Sequence, residues 1–238
     1  MKKAIIVGAS SGIGKELARI LVDNGYKVGI TGRRTELLEG LKSEIPNSYI
    51  TKTFDVTDTN VAVDKLEELT SELGGLDLLI LSSGAGDINN KLDFEIEKRT
   101  IDINVLGFTA IADWAFNYFA NNKTGHLVAI TSIAGLRGSR QAPAYFATKA
   151  YQINYLEGLR QKATRLKEPI LITDIRPGLV DTNMAKGDKL FWVSPADKAA
   201  RQIHNAIKKR RKIVYITKRW LLIAVIFKLL PAWIYDKM

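Results

Sequence analysis

The sequence predicts an α/β fold: a single domain with a doubly wound, seven-stranded parallel sheet and helices on both faces. Three observations predict it. Strand-length apolar runs alternate with helix-length segments along the chain. The runs are continuously apolar, as strands buried on both faces are. Glycines and polar residues suited to ligand binding follow the first six runs, at the carboxyl edge where such sheets hold ligands. Right-handed crossovers then restrict the topology to the doubly wound arrangement.

The first strand is read over Lys3–Val7 and ends at Gly8. This apolar opening is too short for a signal peptide and breaks into glycine and polar residues. An amphipathic helix follows over Gly12–Asn24. Lys27–Thr31 forms the second strand, ending near Arg33, with a helix at Glu36–Glu44. Tyr49–Phe54 is the third strand, ending at Asp55, with a helix at Asn60–Leu73. Asp77–Leu81 is the fourth, followed by Ser82-Ser83-Gly84 and one long helical pattern ending near Ala120. His126–Thr131 is the fifth, ending at Ser132, with a helix at Ala144–Leu166. Ile170–Ile175 is the sixth, followed by Pro177-Gly178 and a helix at Pro195–Lys209, and Ile213–Ile216 closes the series. No internal repeat or linker interrupts the series, so residues 1–217 are read as one domain and 218–238 as an apolar, basic tail helix.

The chain has no cysteine, which excludes disulfides and thiolate metal sites and fits a reducing, cytoplasmic compartment. His126 and His204 are the only histidines, so a multi-histidine zinc site is excluded and both are read as structural. The net charge of +10 is concentrated at the C-terminal end, where ten Lys/Arg after residue 200 face one acid, Asp236. The run Lys208-Lys-Arg-Arg-Lys212 is read as a solvated helix end favoured by the helix dipole rather than as a nucleic-acid site.

Gly8-Ala9-Ser10-Ser11-Gly12-Ile13-Gly14 sits at a strand-to-helix turn. Glycine lets the backbone turn tightly and approach a pyrophosphate, and the helix start offers free N–H groups. The spacing G-x-x-x-G-x-G departs from G-x-G-x-x-G. At the end of the second strand an acid would bind the ribose hydroxyls of NAD; here Arg33 and Arg34 follow Gly32 instead. Guanidinium groups suit a 2′-phosphate, so NADP(H) is the expected cofactor, with Arg33 the principal contact and Arg34 stacking on adenine or facing water. Asp55, followed by Val56, is placed to accept a hydrogen bond from the adenine amino group or to cap the next turn.

Tyr145 and Lys149 share one helix face. A nearby ammonium favours the phenolate, so Tyr145 is expected to be acidified and to serve as general acid or base. Ser132, at the end of an apolar strand, can donate to a carbonyl oxygen as charge develops on it.

With the glycine motif, Asp55-Val56, Asn104 in Ile-Asn-Val, Ser132, Tyr145 with Lys149, and Arg176-Pro-Gly178, the chain from about Lys2 to Thr217 resembles the short-chain dehydrogenase/reductases, in particular their compact single-domain NADP(H)-dependent branch. The resemblance implies a Rossmann-type fold and an oxidoreductase acting on CH–OH/C=O pairs. It makes Asn104 the fourth catalytic residue, kinking its helix and holding a water that links Lys149 to solvent. It gives Lys149 the nicotinamide ribose hydroxyls, places Pro177, Gly178, Val180 and Thr182 beside the nicotinamide, and puts Ser83 and Gly84 in the cofactor wall. It also implies a homodimer or homotetramer through the helices around Asn104–Ala120 and Ala144–Leu166. Val7 replaces a usual threonine, and Leu81-Ser82-Ser83-Gly84 replaces the usual Asn-Asn-Ala-Gly. A non-catalytic NADP(H)-binding sensor or scaffold is the alternative on the same fold; it would show a broken tetrad, and here all four positions are intact.

The tail from Lys218 to Tyr235 is too short and too interrupted by Lys228 and Pro231 to span a membrane, which needs about 20 apolar residues. Tryptophans and basic residues near its ends point to an anionic membrane surface, aided by Lys208–Lys212; packing on the body or on a sister subunit is the other reading. Met184, Phe191 and Trp192 suggest an apolar pocket for a lipophilic or acyl carbonyl compound.

Overall fold

The structure is a computed structural model that describes residues 1–182, 192–217 and 219–237. Seven strands, β1 (Lys3–Val7), β2 (Lys27–Gly32), β3 (Tyr49–Thr53), β4 (Leu78–Leu81), β5 (Gly125–Ile130), β6 (Ile170–Pro177) and β7 (Ile213–Ile216), form one sheet in the order β3-β2-β1-β4-β5-β6-β7. Every pairing is parallel. The chain winds outward one way from β1 to β3 and the other way from β4 to β7. The reversal opens a crevice at the carboxyl ends of β1 and β4.

Alternate residues of each strand feed two apolar layers. Ile5, Val7 and Leu79 pack with helices α3 (Thr59–Leu73), α5 (Phe108–Asn121) and α6 (Pro143–Leu166). Ala4, Ile6 and Ile80 pack with α1 (Gly12–Asp23), α2 (Thr35–Glu44) and α7 (Ala196–Lys208). Burial on both sides makes the strands read as unbroken apolar runs. Most element ends lie within a residue or two of the sequence reading.

Two helical readings are corrected. The long helix expected after β4 is divided into α4 (Phe94–Ile101), a π-helical turn at Asp102–Gly107, and α5. Asn104 in that turn is fully buried and holds the main chain of Ala85, and a side chain at Gly107 would strike the Val56 carbonyl. The wider turn accommodates both contacts. The tail is two helices, α8 (Arg219–Leu229) and α9 (Ala232–Tyr235), separated at Pro231, which cannot continue α8. The basic run precedes β7 and α8 follows it, so the two lie at opposite ends of that strand, about 13 Å apart.

His126 is buried at the start of β5, with Nε2 2.8 Å from Thr173 Oγ1. Burial, with Arg210 and Lys2 nearby, pushes its pKa down to about 4. The unfolded chain therefore binds the extra proton first, from about pH 6.5. Stability contributed by the neutral ring is present above that pH and is lost as pH falls toward 4, by up to about 3 kcal/mol. Urea denaturation from pH 7 to 4 should show a shallower loss for His126→Gln than for the parent; parallel curves would contradict this account.

Candidate active site

The glycine loop leaves β1 with Gly8 and Ala9 both donating to the Thr31 carbonyl, at 3.0 and 2.9 Å. Gly8 (φ +91°) and Gly12 (φ +57°) adopt left-handed conformations that favour glycine. A Cβ on Gly8 would lie 2.6 Å from the Ser83 nitrogen, and one on Gly12 would lie 2.9 Å from Thr182 Cγ2. The glycines thus bring the loop against the ends of β4 and of the segment after β6. Ser11, the N-cap of α1, makes no side-chain cap, so Ile13 and Gly14 lie in a first turn whose N–H groups suit an anion. The loop provides a cradle that fits a dinucleotide pyrophosphate.

The two arginines have different partners. Arg34 donates to Ser10 Oγ at 2.7 Å and Ser11 Oγ at 2.8 Å. Exposed on its outer side, it lies across the glycine loop. Arg33 is paired instead with Asp55 at 3.2 Å. The Asp55 carboxylate also accepts from the main chain and hydroxyl of Thr57, so it serves as a turn cap. These bonds and Arg33 outweigh its burial and hold its pKa below the usual carboxylate value. Val56 packs beneath, against Gly107.

Ser132 follows β5 and caps a short 3-10 helix, Ile133–Leu136, accepting from Ala134 N at 3.1 Å. Its hydroxyl reaches the Pro177 carbonyl at 3.4 Å. Helix α6 begins at Pro143, and Glu97 of α4 accepts the Ala144 N–H at 2.8 Å, supplying the cap that Ala142 lacks. This fixed start sets the direction of Tyr145. The ring lies against Gly86, where a Cβ would fall 2.4 Å from Cδ2. One turn later Lys149, almost fully buried, sends Nζ to the Ile130 carbonyl at 3.1 Å and to Gln152 Oε1 at 2.9 Å. Nζ lies 5.9 Å from the centre of the Tyr145 ring.

Asn104 uses its whole side-chain amide. Oδ1 accepts from Ala85 N at 2.9 Å, while Nδ2 donates to Ala85 O at 2.7 Å and Thr148 Oγ1 at 3.0 Å. Its main-chain carbonyl accepts from Gln152 Nε2 at 2.9 Å. The Gln152 side chain therefore bridges the Asn104 carbonyl and the Lys149 ammonium.

Burial pushes the Tyr145 phenol above its ordinary value, with a Ser132 hydrogen bond opposing. The structure thus does not show the expected acidification of Tyr145 by Lys149. The ammonium is turned toward Ile130 and Gln152, and desolvation penalises the phenolate. The same burial pushes Lys149 down to about 8, with Asp174 opposing.

Gly178 forms part of the floor where α8 closes over the sheet: a Cβ there would lie 2.1 Å from Trp220 Cδ2. Val180, also buried, pairs with Ser194 through an isolated bridge. Arg137 donates to the carbonyls of Phe227 at 3.2 Å and Leu230 at 2.8 Å, capping the end of α8, and lies 4.2 Å over the Tyr235 ring. Tyr235 donates to the Gly138 carbonyl at 2.5 Å. The tail is thereby fastened to the loop after Ser132. Trp192 meets Trp220 edge to face at 6.3 Å, whereas Met184 and Phe191 lie outside the described residues.

The structure thus brings Asn104, Ser132, Tyr145 and Lys149 to one end of the crevice, with Ser83 and Gly84 between them and the glycine loop. Sequence reasoning missed Gly86, Gln152 and Trp220. Gly86 follows Gly84 by two residues, and Gln152 is a polar residue three positions beyond Lys149; those are the signals that could have found them. Among the described residues no helix is long and apolar enough to cross a membrane, and no cluster of three potential metal ligands occurs.

A family model described as short chain dehydrogenase matches residues 2–190. An uncharacterized oxidoreductase of Myxococcus xanthus is 34% identical over 190 residues, covering 77% of this chain and 74% of that protein. One from Staphylococcus aureus is 32% identical over 185 residues, covering 76% and 79%. Among solved structures, a short-chain dehydrogenase from Streptomyces avermitilis superposes with a TM-score of 0.82 at 23% identity, covering 95% of this chain and 91% of that one. ElxO with NADP bound superposes with a TM-score of 0.79 at 21% identity, covering 90% and 96%. With the family model spanning most of the chain, the chain belongs to the short-chain dehydrogenase/reductase family of oxidoreductases.

Proposed function

We propose that the chain is an NADP(H)-dependent oxidoreductase that interconverts a carbonyl and a secondary alcohol, with Tyr145 as the general acid or base. The observation that carries this reading is the convergence of the Tyr145 phenol, the Ser132 hydroxyl and the buried Lys149 ammonium at the carboxyl edge of the sheet. Residues 8–14 hold the pyrophosphate, Arg34 with Arg33 faces the 2′-phosphate, and Ser83 and Gly84 line the cofactor wall. Pro177, Gly178, Val180 and Thr182 border the nicotinamide, and Lys149 holds its ribose. The bound NADP(H) of ElxO, a structure of the same fold, supports this choice of cofactor.

NADPH, when bound, supplies the hydride. Ser132 donates a hydrogen bond to the carbonyl oxygen, and Tyr145 delivers the proton to it. Lys149 and the positive charge that an oxidised cofactor would bring favour the phenolate, offsetting the burial that raises the phenol. A panel of ketones and aldehydes with NADPH tests the assignment: NADPH oxidation with at least one compound, lost in Tyr145→Phe, is the expected result. The outer faces of α5 and α6 serve a homodimer or homotetramer in this reading.

The substrate is lipophilic, and the tail presents it. Trp220 turns inward onto Gly178, while Leu221, Leu222, Val225, Ile226, Leu229 and Trp233 are exposed on the outer side. Arg219 and Lys228 flank that apolar surface, which suits an anionic lipid surface. Flotation with vesicles containing phosphatidylserine should carry the full chain upward and leave Leu222→Glu/Ile226→Glu behind. Equal recovery of both in the soluble fraction would remove the membrane from the account.

A further inference from the structure

We infer that Gln152 is a positioning residue of this site, whose side-chain amide ties the Lys149 ammonium to the main-chain carbonyl of Asn104. Gln152 lies on α6 three residues beyond Lys149 and is 1% exposed. Both ends of its amide are engaged: Oε1 accepts from Lys149 Nζ at 2.9 Å, and Nε2 donates to Asn104 O at 2.9 Å. The carbonyl belongs to the π-helical turn, whose own position is fixed because the Asn104 side chain grips both main-chain groups of Ala85. A continuous path of hydrogen bonds therefore runs from the loop after β4, through Asn104 and Gln152, to the ammonium.

The amide fixes two things. Nζ donates to two acceptors, Gln152 Oε1 and the Ile130 carbonyl, which hold it between α6 and β5. Gln152 cannot turn away without leaving a buried amide unpaired, which makes its grip directional. Its carbonyl dipole also stabilises the charged lysine in a place where burial works against it. The other charged or titratable groups facing Lys149 are Tyr145, one turn earlier on α6, and Asp174 on β6. Asp174 is held by Arg176 at 2.7 Å and by Thr131 at 2.6 Å, so replacing Gln152 leaves that pair in place.

The test reads Lys149 directly in the unliganded full chain, independently of substrate or cofactor. Proteins labelled with 13Cε-lysine are titrated by NMR, the Lys149 signal being assigned by its loss in Lys149→Arg. In Gln152→Leu the acceptor is gone, and the Lys149 midpoint should fall by about one pH unit. In Gln152→Glu an oxygen remains beside Nζ, and the midpoint should stay at or above that of the parent. Should Gln152→Leu fail to fold, Gln152→Met, unbranched and of similar length, takes its place. An unchanged midpoint in the apolar variant, or an equal fall in the apolar and Glu variants, would overturn the inference. Because no turnover is measured, its failure is distinct from failure of the proposed oxidoreductase activity.

Discussion

Tyr145→Phe is expected to lose at least about 100-fold in turnover, the contribution of a positioned general acid, while its affinity for NADPH stays within about twofold. Phenylalanine keeps the ring that lies on Gly86, so the wall of the cleft is retained. It removes only the hydroxyl that meets Ser132 and exchanges the proton. NADPH affinity, followed by cofactor fluorescence, separates lost chemistry from lost folding. Comparable activity of the two proteins on a reduced carbonyl would remove Tyr145 from the chemistry.

Arg34→Ala should weaken NADPH by about 10- to 100-fold and change NADH little, the range expected for losing charge-assisted hydrogen bonds to a phosphate. Arg34 already spans Ser10 and Ser11, so a 2′-phosphate entering at the loop meets a guanidinium held in place. Arg33→Ala should cost less, because Arg33 is engaged with Asp55 and more than half exposed. Titrating each variant with both cofactors checks the order. Equal losses for NADPH and NADH in Arg34→Ala would end its assignment to the 2′-phosphate, and a larger NADPH loss in Arg33→Ala would restore the order the sequence suggests.

The sheet was legible because burial on both faces turns strands such as Lys3–Val7 and Leu78–Leu81 into unbroken apolar words. The edge residues followed from it, since a parallel sheet places the residues after every strand on one side. The π turn was not legible. Its periodicity differs little from that of α-helix over six residues, and its cause, the grip of Asn104 on Ala85, joins positions 19 apart in sequence. The different partners of Arg33 and Arg34 were hidden for a similar reason: adjacent arginines look alike until Asp55, 22 residues away, captures one of them. Gln152 escaped notice because a glutamine in a helix is ordinarily solvated, and only the fold encloses it between Lys149 and Asn104. The tail's packing depends on Trp220 meeting Gly178, a contact that no local pattern announces.

The most direct measurement follows deuterium from C4 of labelled NADPH during reduction of a panel of aliphatic ketones and aldehydes. The account predicts that the label reaches the carbinol carbon of the product, from one face of the nicotinamide only, and that Tyr145→Phe suppresses the transfer. Absence of label in any alcohol product, or undiminished transfer by Tyr145→Phe, would contradict the claim that phenol, hydroxyl and ammonium serve one hydride-accepting carbonyl.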